Sequence, residues 1–228
     1  MESIAGTIKK DNNYLDAIKD AIKKKADHPR HHGIQMQAHH IISATGAKKS
    51  GVGHLLVKGG YNINHLKNLS FIPSTLKGAC HLGIQPHRGN HSFGTQDSYT
   101  DDIEPFDYHN SVAQELQRVI EKVGSDCPGG HKGKNDELIR MLNALSLNIL
   151  REIQFKPSEQ PLSRIAKHFK KGGVGCGGVD SIGKHNALMP CPTGRDHYIS
   201  EEQASNMTGD FENIRYSKTQ VFRLTVGN

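Results

Sequence analysis

The stretch that decides the fold is MQAHHII, residues 36–42, in which two histidines stand side by side between apolar residues. Apolar and polar residues alternate over 34–38, and this pattern predicts a short strand. Neighbouring side chains of a strand point to opposite faces, so one surface cannot easily hold both His39 and His40. The pair therefore suggests that the two imidazoles have separate tasks.

Histidine is the unusual residue in the composition. The chain of 228 residues has 15 histidines, and ten of them lie between His28 and His91. Neutral imidazole is the commonest metal ligand in proteins and a general base suited to neutral pH. The clustering therefore points to metal-binding or acid–base chemistry in the first half of the chain.

The residues that follow MQAHHII predict a loop, a second strand and a helix. The Gly-, Lys- and Asn-rich stretch 43–66 is typical of a long loop, and NLSFIPS, residues 68–74, predicts a strand. Pro86 suits the first position of a helix, because its missing N–H would be unpaired there. His87 and His91 would then share one helix face, where both can bind one metal ion.

Three short motifs occur in this order on the predicted strand, loop, strand and helix: AHH at 38–40, NLSFIP at 68–73 and HRGNH at 87–91. Together they resemble the HNH, or ββα-metal, nuclease superfamily, and specifically the subgroup named for its Ala-His-His signature. The resemblance covers about residues 31–122. It implies an α+β protein with a ββα-metal finger nuclease core flanked by helices. Members of the subgroup occur as toxin modules of bacterial polymorphic toxins and secretion-system effectors.

The resemblance implies a role for each matching residue. His40 would be the general base that takes a proton from the attacking water. His39, His87 and His91 would bind the metal ion. Asn68 matches the central Asn of the superfamily and is expected in the catalytic machinery. In the superfamily this Asn either holds the loop between the two strands in place or orients the base. In some branches it binds the metal instead.

The chemistry of phosphodiester hydrolysis agrees with a division into two roles. The reaction needs an activated water and a cation at the scissile phosphate and the leaving 3′ oxygen. An ion held by three neutral imidazoles keeps its charge and open coordination positions, whereas a metal-bound histidine cannot serve as a base. We therefore expect one divalent ion, Mg²⁺, Mn²⁺, Zn²⁺ or Ni²⁺, and a separate metal-free histidine.

One position departs from the family pattern. In the family an aromatic residue, usually Tyr, closely follows the helix histidines. Here the insertion at residues 92–107 displaces it, and Tyr99 and Tyr108 are the candidates.

Basic residues near the motifs are candidates for nucleic-acid contacts. Arg88 lies between the two helix histidines, and its guanidinium matches the geometry of a phosphate. Lys48, Lys49 and Lys67 lie in the predicted loop beside the site. The net charge of +6 is compatible with a polyanionic partner such as DNA.

We divide the chain into three parts: an N-terminal helical segment (1–30), the nuclease domain (31–122) and a C-terminal domain of unknown role with mixed helical and β structure (123–228). Apolar residues at helical spacing predict helices over 13–25, 109–123, 135–153 and 161–171. Alternation near the C-terminus predicts a terminal strand or hairpin over 213–226.

The cysteines offer a second possible metal site. Cys127, His131, Cys176 and Cys191, together with His197, supply enough nitrogen and sulfur ligands for a structural zinc ion. Their spacing lacks a CxxC pair, so buried free thiols are the alternative. The glycine-rich stretch around Cys176 lacks the Gly-Lys-Ser/Thr ending of a phosphate loop and predicts a turn-rich connection.

These observations predict a metal-dependent endonuclease that hydrolyses DNA without strong sequence preference and acts as an antibacterial toxin. The resemblance also implies an acidic immunity protein, in keeping with the basic charge, and a secretion-system carrier. The alternatives are a phage or restriction-type nuclease, an RNase of the same fold, or a non-catalytic zinc- or nucleic-acid-binding module.

Two absences in the sequence bear on location. No apolar run approaches the roughly 18 residues that a membrane span needs, and the first residues lack the apolar core of a secretory signal. We therefore expect no membrane association, synthesis in the bacterial cytoplasm and delivery into a target cell by a dedicated machine.

Overall fold

The computed structural model describes residues 6–87, 103–126, 136–207, 211–217, 219 and 222–227. Within these ranges the regular elements are, in chain order, α1 (Asn13–Ile22), β1 (Met36–His40), α2 (Ala44–Lys49), α3 (Gly53–Lys58), β2 (Leu69–Pro73), α4 (Leu76–Leu82), α5 (Ile103–Asp126), α6 (Asp136–Phe155) and α7 (Glu201–Ser205). The α+β class is confirmed. None of the helices in the described part of the chain is both long and apolar enough to span a bilayer.

The two strands form an antiparallel pair that carries the Ala-His-His motif. His39 is opposite Ser70, and His40 is opposite Leu69, in a two-stranded sheet. Helix α4 follows β2 almost at once, because Thr75 caps it by accepting a hydrogen bond from the Gly78 N–H at 3.0 Å. Helix α4 was not predicted, and the helix that was predicted to begin at Pro86 and carry His87 and His91 lies, beyond His87, outside the described residues.

The long loop predicted between the strands is wrong in part, because α2 and α3 lie within it. Helices of six residues are not stable by propensity alone and depend on caps and packing. Ser43 caps α2 by accepting from the Gly46 N–H at 3.0 Å. A Cβ at Gly46 would lie 2.6 Å from the Val112 side chain, so glycine allows α2 to pack closely on α5.

Two hydrophobic clusters surround the strand pair. The larger one joins the exit of β1 to α5 and α6, with Ile42, Ile72 and Leu142 among its fully buried members. The second packs α1 against the other side of the strands, with Ile18 and Phe71 at its centre. Burial of each such side chain stabilises the fold by about 1.5–3 kcal/mol. The strand pair is therefore held from both sides.

A third cluster lies between α4 and the irregular chain after α6. Its members are Leu76, Ala79, Cys80, Ile165, Phe169, Cys176, Ile182 and Cys191. The helix predicted over 161–171 is reduced there to the 3₁₀ turn Ala166–His168. Ile165 and Phe169 are buried in the cluster, and the Gly172 backbone has a positive φ of 81° soon after. Tertiary packing therefore overrides the helical pattern in this segment.

Of the other predicted elements, three helices are confirmed and the terminal strand is not. The helices predicted over 13–25, 109–123 and 135–153 are confirmed by α1, α5 and α6, although α1 ends at Ile22. The described residues of the terminal segment contain no strand. Instead, the Ile214 carbonyl accepts from the Ile199 N–H at 2.9 Å, and the Arg215 N–H donates to the His32 carbonyl at 2.7 Å. The Gly227 N–H also donates to the Leu69 carbonyl at 2.7 Å, so single hydrogen bonds to several segments replace a strand ladder.

Candidate active site

A cavity of about 360 Å³ lies along β1. Four histidines contribute to its lining: His39, His40, His87 and His109. All four are buried, with between 3 and 6% of their surface exposed. The structure therefore brings His87 together with the two histidines of the Ala-His-His motif.

His39 is oriented by Tyr108, one of the two aromatic candidates. The Tyr108 hydroxyl donates to the Ile41 carbonyl, so it must accept from His39 Nε2–H, which lies 2.9 Å away. This fixes the proton of His39 on Nε2. The lone pair on Nδ1 then faces His87 Nε2 at 3.1 Å. The His87 backbone N–H is held by the Pro73 carbonyl at 2.8 Å.

The His39–His87 pair fits two ligands of one metal ion. Two imidazole nitrogens that bind an ion at about 2.0–2.1 Å lie about 2.9–3.4 Å apart in octahedral or tetrahedral geometry. Burial lowers the pKa of His87 to about 4, which keeps it in the neutral, metal-binding form. His91, the third predicted ligand, and Arg88, the predicted phosphate contact, lie outside the described residues. Pro86 and His87 are not helical.

His40 lies in a different environment from its neighbour. Its Nε2 is 3.0 Å from Asn64 Oδ1, while the Asn64 amide N–H donates to the Lys9 carbonyl at 2.9 Å. The amide orientation makes Oδ1 an acceptor, so His40 carries its proton on Nε2 and presents a basic Nδ1. The Tyr14 ring packs edge-on against His40, with ring centroids 4.4 Å apart. Burial lowers the pKa of His40 to about 4, against the raising effect of the Asn64 hydrogen bond.

Asn68 is completely buried and all of its side-chain bonds hold the surrounding chain in place. Its Oδ1 accepts from the Ile42 N–H at 2.7 Å and from the Ser146 hydroxyl at 3.0 Å. Its amide donates to the carbonyls of Ile42 at 3.0 Å and Ile63 at 2.9 Å. These contacts tie the exit of β1 to the preceding loop and to α6. Asn68 is not among the residues that line the cavity.

His109 is a site residue that the sequence reasoning missed. The Ser43 hydroxyl accepts from the Gly46 N–H and also lies 2.8 Å from His109 Nδ1, to which it is hydrogen-bonded. This bond fixes the orientation of the His109 ring, and the tautomer of His109 decides which of the two groups donates. Burial lowers the pKa of His109 to about 4. The only sequence signal was its place beside Tyr108 on a helix whose partner elements were unknown.

The basic residues of the cavity differ from those predicted. Lys10, Lys19 and Arg30 line it. Lys48, Lys49 and Lys67 are exposed and do not line it, although the Lys49 charge helps lower the pKa of His109. The signal for the first group was weak, because these residues lie before the motif that identifies the site.

The cysteines are brought together in a different set from the predicted one. Cys127 and His131 lie outside the described residues. Cys176 and Cys191 meet Cys80 and His197 in a group that could hold a metal ion. Cys80 was missed because it lies about a hundred residues before its partners and shares no motif with them.

Comparison with known proteins gives one match. The model of the AHH family, described as a nuclease family of the HNH/ENDO VII superfamily with conserved AHH, matches residues 20–145. No curated protein and no solved structure matches the chain. The match spans more than half of the sequence and includes both strands and all four cavity histidines. The chain therefore belongs to the AHH family and is a nuclease of the HNH/ENDO VII superfamily.

Proposed function

We propose that this nuclease is a metal-dependent DNA endonuclease in which the two histidines of the motif have different roles. The observation that carries the proposal is the separation of their environments. His39 faces His87 and Tyr108, whereas His40 faces Asn64 and Tyr14, yet both imidazoles line one cavity. Two neighbouring residues of a strand can contact different groups and have different roles, because successive side chains point in opposite directions.

His40 is the general base in this proposal. Its Nδ1 takes a proton from a water molecule as the water oxygen attacks phosphorus and the bond from phosphorus to the 3′ oxygen breaks. The leaving 3′ oxygen takes a proton from solvent to become a hydroxyl, and His40 releases its proton to solvent. Asn64 is a positioning residue, because it holds the His40 proton on Nε2 and so keeps Nδ1 available.

His39 and His87 hold the divalent ion, and His91 is proposed as the third ligand. The bound ion would supply positive charge at the scissile phosphate and the leaving oxygen. Tyr108 positions His39 by accepting its Nε2–H. Asn68 acts from outside the cavity by fixing the chain at Ile42, where β1 ends.

The substrate is guided by basic groups and by His109. Lys10, Lys19 and Arg30 give the cavity a positive charge that attracts a phosphate backbone. With the Ser43 hydroxyl donating to its Nδ1, His109 would offer an Nε2–H to a phosphate oxygen. Arg88 remains a proposed phosphate contact, and Lys48, Lys49 and Lys67 remain proposed contacts outside the cavity. Contacts of this kind bind backbone without reading bases, which suits cleavage without strong sequence preference.

The biological role that we propose is that of an antibacterial toxin, delivered by a secretion-system carrier into a target cell. The toxin modules of the Ala-His-His subgroup support this role. Such a nuclease requires an inhibitor in the cell that makes it, and the net charge of +6 favours an acidic immunity protein. Co-expression with the product of a neighbouring small acidic reading frame should restore growth of a bacterial host that the nuclease alone arrests.

The test of the enzymatic proposal uses the full chain and supercoiled plasmid with Mg²⁺, Mn²⁺, Zn²⁺ or Ni²⁺, beside an RNA control. We expect nicked and then linear plasmid with at least one ion, and no cleavage with chelator. Cleavage of RNA but not of plasmid would assign the same fold to an RNase. Intact plasmid and RNA with every ion, from demonstrably folded protein, would refute the enzymatic role.

Two substitutions separate the proposed tasks. His40→Ala should lower the cleavage rate by about 10²–10⁴-fold and leave metal binding intact, because it removes only the base. His87→Ala should lose the divalent ion of the histidine centre and cleavage together. A non-catalytic module would show no difference between either variant and the parent in any cleavage assay.

A further inference from the structure

We propose that Cys80, Cys176, Cys191 and His197 form a structural zinc site that fastens the C-terminal segment to the nuclease core. The four ligand atoms all lie within 4.8 Å of one another. Cys80 comes from α4, directly after the strand pair, and the other three come from the irregular chain beyond α6. None of the four lines the cavity of the active site, so this centre is separate from the histidine centre.

The spacing of the ligand atoms is that of a tetrahedral zinc ion. With bonds of about 2.3 Å to sulfur and 2.0–2.1 Å to nitrogen, tetrahedral geometry places two sulfurs about 3.8 Å apart and a sulfur and a nitrogen about 3.6 Å apart. Cys176 Sγ is 3.6 Å from Cys191 Sγ, and His197 Nε2 is 3.4 Å from each of these sulfurs. The chain thus holds these three ligand atoms at nearly the distances that one ion requires.

The glycine-rich loop is shaped around the sulfurs. Gly175, Gly177 and Gly178 all have positive φ, between 62 and 76°, and so curl the chain tightly about Cys176. A Cβ at Gly175 would lie 2.5 Å from Cys80 Sγ, so only glycine lets the backbone come this close. The Cys176 N–H donates to Cys80 Sγ at 3.3 Å, a contact that stabilises a metal-bound thiolate.

Arg195 stabilises the backbone around the four ligands. Its guanidinium donates to the carbonyls of Cys80, Lys170, Gly173 and Phe169. It therefore ties the end of α4 to the turn that precedes the glycine loop. Thr193 Oγ1 lies 3.3 Å from Cys191 Sγ and adds a polar contact to a second sulfur. Such surroundings hold the ligands in place and satisfy the sulfurs.

The chemical nature of the four ligands favours zinc, and their burial favours a structural role for the ion. Three thiolates and one imidazole in a closed, tetrahedral group are typical of structural zinc, while Mg²⁺ prefers oxygen ligands. The three cysteines are at most 6% exposed. These cysteines lie in the hydrophobic cluster between α4 and the chain over 162–191. Within 162–191, the regular structure consists of short 3₁₀ turns. A metal cross-link supplies the stability that so small a core lacks.

Metal analysis and cobalt spectroscopy of the full chain test the proposal. We expect a zinc ion that survives dialysis against Mg²⁺ and that persists in the His87→Ala variant. Replacement of zinc by Co²⁺ should give thiolate-to-cobalt charge-transfer absorption and the visible bands of a tetrahedral site. No cysteine among the described residues lines the cavity of the histidine centre, so the charge-transfer absorption would be assigned to the thiolate centre.

Four variants identify the ligands. Cys176→Ser and His197→Ala should lose the zinc ion and the charge-transfer absorption and should lower the melting temperature. Cys127→Ser is the matched control, because it removes the remaining cysteine, and it should keep both. His197→Cys retains four donors and should keep the ion while the charge-transfer absorption increases, so the ligand set can be tested in a folded protein.

Three results would overturn the proposal. The first is zinc-loaded protein whose Cys80, Cys176 and Cys191 are alkylated as readily as after chelation, as read residue by residue by mass spectrometry. The second is a disulfide between any two of these cysteines in freshly purified active protein. The third is loss of the ion in Cys127→Ser with retention in His197→Ala, which would assign the ion to a different ligand set.

Discussion

Tyr108→Phe should lower the affinity of the histidine centre for its metal ion. It should not remove any group that touches the substrate. The substitution deletes one oxygen atom and leaves the buried ring in place. That oxygen accepts from His39 Nε2–H at 2.9 Å and donates to the Ile41 carbonyl. Without it, His39 loses the contact that keeps its proton on Nε2 and its Nδ1 lone pair directed toward His87.

The magnitude follows from the loss of that hydrogen bond. A buried hydrogen bond of this kind contributes about 1–1.5 kcal/mol, and its loss corresponds to about a tenfold change in an equilibrium constant. Partners that orient metal ligands have effects of about 10–100-fold on metal affinity. We therefore expect the Mn²⁺ concentration for half-maximal cleavage to rise about tenfold. The maximal rate at saturating Mn²⁺ should stay close to that of the parent.

The assay is plasmid cleavage as a function of Mn²⁺ concentration, with the thiolate centre loaded with zinc in every variant. Mn²⁺ prefers oxygen and nitrogen ligands and leaves zinc on the thiolates in place. Tyr61→Phe is the matched control, because Tyr61 is buried in the same hydrophobic cluster as Tyr108 and does not line the cavity. His40→Ala gives the opposite pattern, with a lower maximal rate and an unchanged Mn²⁺ requirement.

An equal Mn²⁺ requirement for Tyr108→Phe and Tyr61→Phe would refute a role of the Tyr108 hydroxyl in metal binding. A fall in the maximal rate that excess Mn²⁺ cannot restore would also contradict it, since Tyr108 would then act on the chemical step rather than on the ion.

Three further predictions concern stability and substrate binding. Asn68→Ala should lower the free energy of unfolding in urea by about 3–4 kcal/mol, because it leaves buried backbone groups without partners; a loss under 1 kcal/mol would show that these bonds are not needed. Lys19→Ala and Arg30→Ala should each reduce the slope of log affinity for DNA against log salt concentration by about 1, because both residues line the cavity. Lys156 is exposed, lies outside the cavity and is paired with Glu159, so Lys156→Ala should leave the slope unchanged. Burial lowers the pKa of His28 from 6.5 to about 4, so the unfolded chain binds more protons than the folded chain between these values. The free energy of unfolding should therefore be highest above pH 6.5 and should fall by up to about 3 kcal/mol, through His28 alone, as the pH decreases toward 4. His28→Asn keeps an acceptor for the Arg30 N–H and should flatten this part of the pH dependence; an unchanged slope would contradict the assignment.

The sequence alone predicts those elements whose signal is local. Helices α1, α5 and α6 have apolar residues at helical spacing, and β1 and β2 have short β-like runs, so each was predicted near its observed position. Helices α2 and α3 were missed, because six-residue helices depend on a cap at Ser43 and on close packing at Gly46. The chain over 161–171 has the helical pattern but not the helix, because its apolar residues are drawn into a separate cluster.

The same distinction holds for the two candidate metal centres. The sequence determined the family and which histidines to examine, because the order of AHH, NLSFIP and HRGNH is a linear pattern. Only the tertiary structure placed Asn64 against His40, Tyr108 against His39 and Cys80 against Cys176, across separations of 24, 69 and 96 residues. A partner at such a distance is set by the packing of whole elements, and no spacing along the chain encodes it. The neighbouring histidines of MQAHHII were therefore visible in the sequence, but the groups that give each of them its orientation became visible only in the fold.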